Sequence, residues 1–276
     1  MRIKLQELTI TRLWEALVRR IMAAPDIASW NLTQRGRANR ARLKALHNIA
    51  QGKRGFILAN GPSLAKMDLS PLKNELTIGM NRIYLHFDKM PFTPTYYACI
   101  NELILEQFSA DIQSLPMPKF LNWNRRQLYP NDDTILFLRS KLALNESFST
   151  NITRYTYSGG TVTHGALQIA YHLGLSEVII IGLDHSFVEK GVPSKTEVRK
   201  QEKDESHFHP NYFPKGIKWQ LPDLPRSEIA YAHARRAFEE DGRRIIDATN
   251  GGKCFVFEKQ PFEEVINLGV NDQSDG

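Results

Sequence analysis

The sequence predicts an α/β protein built on a doubly wound, mostly parallel sheet of Rossmann-like type. Three observations predict it. From Gly55 onward, short continuous apolar runs alternate with helix-forming stretches, a pattern that suits parallel strands buried on both faces. Before that point, residues 1–53 form a basic arm with helical spacing. After the last strong apolar run comes a long stretch rich in Pro, Lys and His, over 185–226, which reads as a lid inserted into the domain at 54–276.

In the arm, Ile10, Leu13, Trp14, Leu17 and Ile21 recur at helical spacing among Arg12, Arg19 and Arg20. A second helical segment, Arg35 to Lys44, is basic, and Leu43 and Leu46 are its few apolar residues. The net charge of +6 is concentrated here. Residues 1–54 hold twelve Lys/Arg against three Asp/Glu, while the remainder is mildly acidic. Three readings fit the arm: packing on the main domain or on a second copy of the chain, lying on an anionic membrane surface, or contact with nucleic acid. The last is disfavoured, because no single-strand platform or recognition motif accompanies the charge.

The apolar runs are Phe56–Ala59, Leu76–Gly79, Tyr96–Ile100, Lys119–Leu121, Ile135–Leu138 and Val178–Ile181. Leu103 to Leu115 and Val162 to Leu173 read as helices between them. No run is long enough for a membrane span, and charges interrupt the N-terminus too often for a secretory signal. Cys99 and Cys254 form no metal or disulfide pattern. The expected location is therefore cytoplasmic, at the inner face of the membrane if the arm lies on lipid.

Candidate chemistry gathers after the strands. Asn60, Asn81, Asn101 and Asp184 each follow an apolar run, so a parallel sheet places all four on its C-terminal edge, where such sheets bind ligands. Asparagine offers a donor and an acceptor without charge; the competing reading is that these residues cap helices and turns. The first strand runs into Asn60-Gly61-Pro62-Ser63, which is neither a Walker loop nor a dinucleotide glycine motif. The pair Gly159-Gly160 precedes Thr161 and a helix start, a plausible phosphate cradle unless the threonine serves only as an N-cap. In the lid, His207 and His209 flank Phe208, and Tyr212 follows; either histidine can act as a base near neutral pH. Their spacing gives weak support for a metal site with Asp184 or His185, and no metal is assigned. Nucleophilic-serine and zinc-protease motifs are missing from the sequence.

The succession Asn60-Gly61-Pro62-Ser63-Leu64, Asn81, Asn101, Gly159-Gly160-Thr161 and Gly182-Leu183-Asp184 resembles two related groups over about residues 54–257. One is the family of 6-hydroxymethylpterin diphosphokinase MptE-like domains; the other is the bacterial sialyltransferases of glycosyltransferase family 42. The Ser206–Phe213 segment and the Asp247–Gly252 turn look more like the MptE-like domains that accompany bacterial surface-glycan biosynthesis. The resemblance implies that Asn60, Ser63, Asn81 and Asn101 contact a cytidine nucleotide and that His207 or His209 is the base toward an acceptor hydroxyl. The sialyltransferases carry aromatic residues after the position of Asp184, one supporting the leaving phosphate; here stand His185 and Ser186, and Tyr212 is the substitute for that role. The implied function is transfer of a sugar from a nucleotide-activated donor, a CMP-sugar, to a glycan acceptor. The alternative is pyrophosphate transfer from ATP, with Mg²⁺ held near Asp184. Partners beyond these substrates are an anionic membrane or a second copy of the chain through the arm, and no nucleic acid.

Overall fold

The computed structural model describes residues 10–141 and 145–271. In chain order it contains α1 (Ile10–Leu32), α2 (Gln34–Ala45), β1 (Arg54–Leu58), β2 (Thr77–Met80), β3 (Tyr96–Cys99), α3 (Glu102–Gln107) and α4 (Ser109–Ser114). There follow β4 (Lys119–Asn122), β5 (Ile135–Leu138), α5 (Val162–Leu173), β6 (Glu177–Ile181), β7 (Thr196–Val198) and β8 (Lys218–Gln220). The chain continues with α6 (Leu224–Glu240), β9 (Arg244–Asp247), β10 (Glu258–Lys259) and α7 (Phe262–Asn271).

Eight strands form one sheet in the order β10-β9-β6-β1-β2-β3-β4-β5, and every neighbouring pair is parallel. The chain winds outward from β1 to β5 and then returns to lay β6 on the other side of β1. The switch point therefore lies between β1 and β6, where Ile57 pairs with Ile180. The central strands read Phe56-Ile57-Leu58 and Val178-Ile179-Ile180-Ile181, and all of these side chains are fully buried. Burial on both faces is why these runs are continuously apolar and not alternating. Helix α5 crosses the sheet beneath β1, β2 and β3, burying Ala166, Leu167, Ile169, Ala170 and Leu173, and it ends on Gly174 at φ 90°.

The basic segment at α2 is fastened to the domain. Asn39 donates to the Phe137 carbonyl at 2.9 Å and accepts from its amide at 2.7 Å, so a side chain takes the place of a further strand beside β5. Arg35 and Arg42 donate to the Tyr129 and Ile135 carbonyls, which spends two of the arm's cations on neutral backbone. The C-terminal half of α1 docks through Trp30, packed edge-on to Trp123 at 5.1 Å. Trp14, Ile21 and Met22, nearer its start, are exposed. Among the described residues no helix is long and apolar enough to cross a membrane.

Three expectations change. The single helix read from Leu103 to Leu115 is split into α3 and α4 at Phe108, whose φ of −124° and ψ of 30° leave the helical region. Its ring lies 3.8 Å beneath the Arg82 guanidinium. The sheet also contains β9 and β10, beyond the strands expected from the apolar runs. The stretch after Asp184 is not irregular throughout. Its strands β7 and β8 pair antiparallel, and the lid closes on a buried Arg199 that contacts Glu189 at 2.8 Å and covers the Trp219 ring at 5.1 Å. Helix α6 begins at Leu224, with Asp223 as its N-cap.

Candidate functional site

The loops after β1, β2, β3 and β6, the start of α5, and the lid enclose one cleft at the C-terminal edge of the sheet. Asn60, Gly61, Asn81, Asn101, Gly160, Thr161, Asp184, His207 and Tyr212 all line it. Ser63, Gly159 and His209 are not among its lining residues.

The loop after β1 is braced from β6. The Asp184 carboxylate accepts the Ser63 amide at 3.1 Å and the Ser63 hydroxyl at 2.6 Å. Gly61 donates its amide to the Gly182 carbonyl at 2.9 Å, and a Cβ at Gly61 would overlap the Asp184 carboxylate. Ser63, expected to touch a nucleotide, instead anchors this brace, and Asp184 spends both oxygens on it.

The three asparagines have different employment. Asn101 caps α3, its oxygen accepting the amides of Leu103 and Ile104, so the capping reading describes that oxygen. Asn60 is 9% exposed, and its side-chain oxygen has no partner. Asn81 sits at φ 47°, and its buried side-chain oxygen is also unpartnered. Two orphaned acceptors in one cleft call for a ligand that brings donors, because an unpaired buried polar atom is costly.

At the start of α5, Gly159 and Gly160 adopt φ of 61° and 70°. The Gly159 amide is taken by Glu146 at 3.0 Å, and a Cβ there would strike the His164 ring, so this glycine shapes the turn from behind. Thr161 is the N-cap, accepting the Thr163 amide at 3.3 Å and the Tyr231 hydroxyl at 3.4 Å. The helix start that remains is an anion-favouring end facing the cleft.

The lid supplies the chemistry. His207 Nδ1 lies 3.0 Å from both oxygens of Asp204, a fully buried carboxylate. With Nδ1–H donated to Asp204, the neutral ring presents Nε2 as a proton acceptor. Burial pushes the Asp204 carboxyl up, but the His207 hydrogen bond, its charge and that of Arg199 together hold it below the ordinary range. The imidazole is stacked flat on Tyr212, with centroids 4.0 Å apart and an interplanar angle of 2°. Arg82 fixes that tyrosine: its guanidinium donates to the Tyr212 carbonyl, and its amide donates to the Tyr212 hydroxyl at 3.4 Å. Tyr212 thus orients the histidine, and its buried phenol is turned toward Arg82, not held free for a leaving group. His209 accepts the Asn211 amide through Nδ1 at 3.1 Å, and of these two lid histidines only His207 lines the cleft.

Sequence reasoning missed Asp204, although its three-residue spacing from His207 was visible. It also missed the pairing of His185 Nε2 with Glu228 Oε1 at 3.0 Å, because Glu228 lies on α6, outside the lid motif. Among the described residues no Lys or Arg lines the cleft itself; Arg226 packs behind Gly160 at its edge and is paired with Glu146. Among the described residues, no group of three or more His, Cys, Asp or Glu could hold a metal ion.

Comparison with curated proteins finds no match. The solved structure of the MAf glycosyltransferase from Magnetospirillum magneticum AMB-1 is similar over 86% of this chain, at 15% identity and a TM-score of 0.49. The chain spans 40% of that protein's length. A family model described as 6-hydroxymethylpterin diphosphokinase MptE-like matches residues 31–190, from the end of α1 through β6 and into the lid. With the match covering more than half its length, the chain belongs to the MptE-like family.

Proposed function

We propose that the protein is a transferase that moves a sugar from a CMP-linked donor to a hydroxyl of a bacterial glycan. The carrying observation is His207, held through Nδ1 by buried Asp204 inside the cleft. Such a histidine suits removal of one proton from an acceptor hydroxyl. The acceptor oxygen then bonds to the anomeric carbon, the bond from that carbon to the phosphate oxygen breaks, and the electron pair departs with CMP. The proton remains on His207 Nε2, and the resulting imidazolium is stabilised by Asp204. Asn60 and Asn81 offer their unpartnered oxygens to ribose hydroxyls or the cytosine amine.

The charge of the cleft supports a monophosphate donor. A phosphodiester carries a single negative charge, which the start of α5 can match. A triphosphate carries several, and its transfer depends on cationic clamping that no Lys or Arg lining this cleft supplies. The family description favours a second reading, pyrophosphate transfer from ATP, in which Asp184 is the candidate Mg²⁺ ligand. The residues fit that ion poorly, since both Asp184 oxygens are engaged by Ser63, Asp204 holds His207 and Glu228 holds His185.

The test is turnover of a CMP-sugar and of ATP by wild type, His207→Ala, His209→Ala and Asp184→Asn, with Mg²⁺ and with chelator. Chelator-resistant turnover of the CMP-sugar is expected. His207→Ala should lower it roughly 10²–10⁴-fold with nucleotide affinity nearly unchanged, and His209→Ala should stay near wild type. Mg²⁺-dependent consumption of ATP that survives in His207→Ala would overturn the reading.

A further inference from the structure

The two faces of helix α1 meet different surroundings. On one, Trp30 is buried against Trp123, whose indole Nε1 donates to the Asp26 carbonyl at 3.1 Å, and Arg126 contacts the Asp26 carboxylate at 2.5 Å. Trp123 and Arg126 belong to the turn that follows β4, so α1 is gripped at the C-terminal edge of the sheet, the edge that carries the cleft. On the other face Trp14, Ile21 and Leu32 are exposed. The steps between them are seven and eleven residues, about two and about three turns of an α-helix, so they share one side. Met22, 75% exposed, borders that stripe.

The charge left over around this grip is positive. Arg139 and Lys141 follow β5 and spend their donors on neutral groups, Arg139 on the Arg154 carbonyl at 3.0 Å and Lys141 on the Tyr157 hydroxyl at 3.1 Å. The carboxylates that reach the turn after β4 are already matched, Asp26 by Arg126 and Glu102 and Glu106 by Arg125. Asp132 and Asp133 stand before β5, at the opposite edge of the sheet. To this the first 54 residues add twelve Lys/Arg against three Asp/Glu.

We propose that the exposed face of α1 lies on an anionic lipid membrane, with Trp14, Ile21 and Met22 in the headgroup boundary and Arg139 and Lys141 against lipid phosphates. An apolar stripe on a helix otherwise rich in cations suits that boundary, and a tryptophan ring is at home there. The helix lies on the bilayer and does not cross it, since no described helix is long and apolar enough to do so. Charge selects lipid over a second copy of the chain. Two arms laid stripe to stripe bring together the same excess of cations, and the body after residue 54 is nearly balanced, with 24 Lys/Arg against 27 Asp/Glu. An anionic bilayer answers both the apolar stripe and the charge. Seated in this way, α1 holds the cleft edge of the sheet at the lipid surface. The inference is independent of which group the cleft transfers.

The experiment is co-sedimentation of the full chain with vesicles of phosphatidylglycerol and phosphatidylcholine in equal parts, and with vesicles of phosphatidylcholine alone. Wild type should bind the anionic vesicles about ten-fold more tightly than the neutral ones, and salt at about 0.5 M should remove most of that difference. Trp14→Gln combined with Ile21→Gln should weaken binding about ten-fold, and Arg139→Gln combined with Lys141→Gln about three-fold at low salt only. A second readout needs no variant. Trp30, Trp123 and Trp219 are buried, so quenching of tryptophan emission by brominated lipid reports Trp14. Quenching is expected on anionic vesicles. Wild type that ignores anionic vesicles, binds both kinds equally, or binds without quenching overturns the proposal. So does vesicle binding that the Trp14 and Ile21 substitutions leave unchanged. Self-association of wild type without vesicle binding, lost in the same double variant by light scattering, would assign the face to a second copy instead.

Discussion

An orphaned acceptor in a closed cleft trades stability for binding, and Asn60 is the cleaner of the two examples. Its oxygen is buried without a partner in the free protein, so Asn60→Ala removes a desolvation penalty along with any ligand contact. The melting temperature of the free Asn60→Ala protein should hold or rise, while affinity for CMP falls by on the order of 1–3 kcal/mol. A thermal scan with and without CMP checks both signs; a variant that melts lower yet binds normally would show that Asn60 has a structural partner. His164 gives a residue-scale pH dependence. Burial pushes its pKa down from 6.5 to about 4, and it is held neutral with Nε2 against the Ser147 carbonyl at 2.9 Å. The unfolded chain takes up a proton on this ring near pH 6.5 and the native one only near 4, so the contribution is full above 6.5 and is lost as pH falls between these values. Acidification across that window should cost about 3 kcal/mol from this group. Urea midpoints measured against pH should show the loss in wild type and a shallower slope in His164→Asn.

At the scale of elements, the central strands were legible because each is a short, unbroken apolar run, and the ligand edge followed because an asparagine or aspartate ends several of them. The rest was hidden for physical reasons. Arg244-Ile245-Ile246-Asp247 offers two apolar residues between charges, too little periodicity to mark β9 before its place beside β6 is known. Helix α3 ends at Phe108 because of a contact with Arg82, which lies far back in the sequence. In the site, His207 was visible and Asp204 stood three residues before it, whereas Glu228 was hidden because it reaches His185 from a separate helix, and the engagement of Asp184 by Ser63 depends on β1 and β6 lying side by side. Asn39 is the strongest instance of a side chain acting as an element. Its amide closes the outer edge of β5 with two hydrogen bonds to Phe137. Asn39→Leu should leave that buried amide and carbonyl unpaired and destabilise the protein by about 2–4 kcal/mol, read from chemical denaturation. A change below about 0.5 kcal/mol would mean that water replaces the asparagine at that edge.

For the whole molecule, the basic arm divides in two. Cutting the chain after Ala24 removes exposed Trp14, Ile21 and Met22 and retains Trp30 against Trp123, so the melting temperature should move by no more than about 2 °C. Cutting after Ala50 also removes α2 and its bonds to β5, and should lower the melting temperature several-fold more. The second truncation has a colloidal consequence as well. An eight-stranded sheet has two ends, and at the β10 end the terminal strand is only two residues long, a poor template for another chain. The β5 end is four residues of Ile-Leu-Phe-Leu, and α2 is what stands beside it. Stripped of that helix, the sheet would offer a bare hydrophobic ladder to its neighbours, so the shorter chain should self-associate in proportion to its concentration. The same cationic helix that suggests attraction to polyanions thus acts as a plug that keeps one copy of the sheet from growing onto the next.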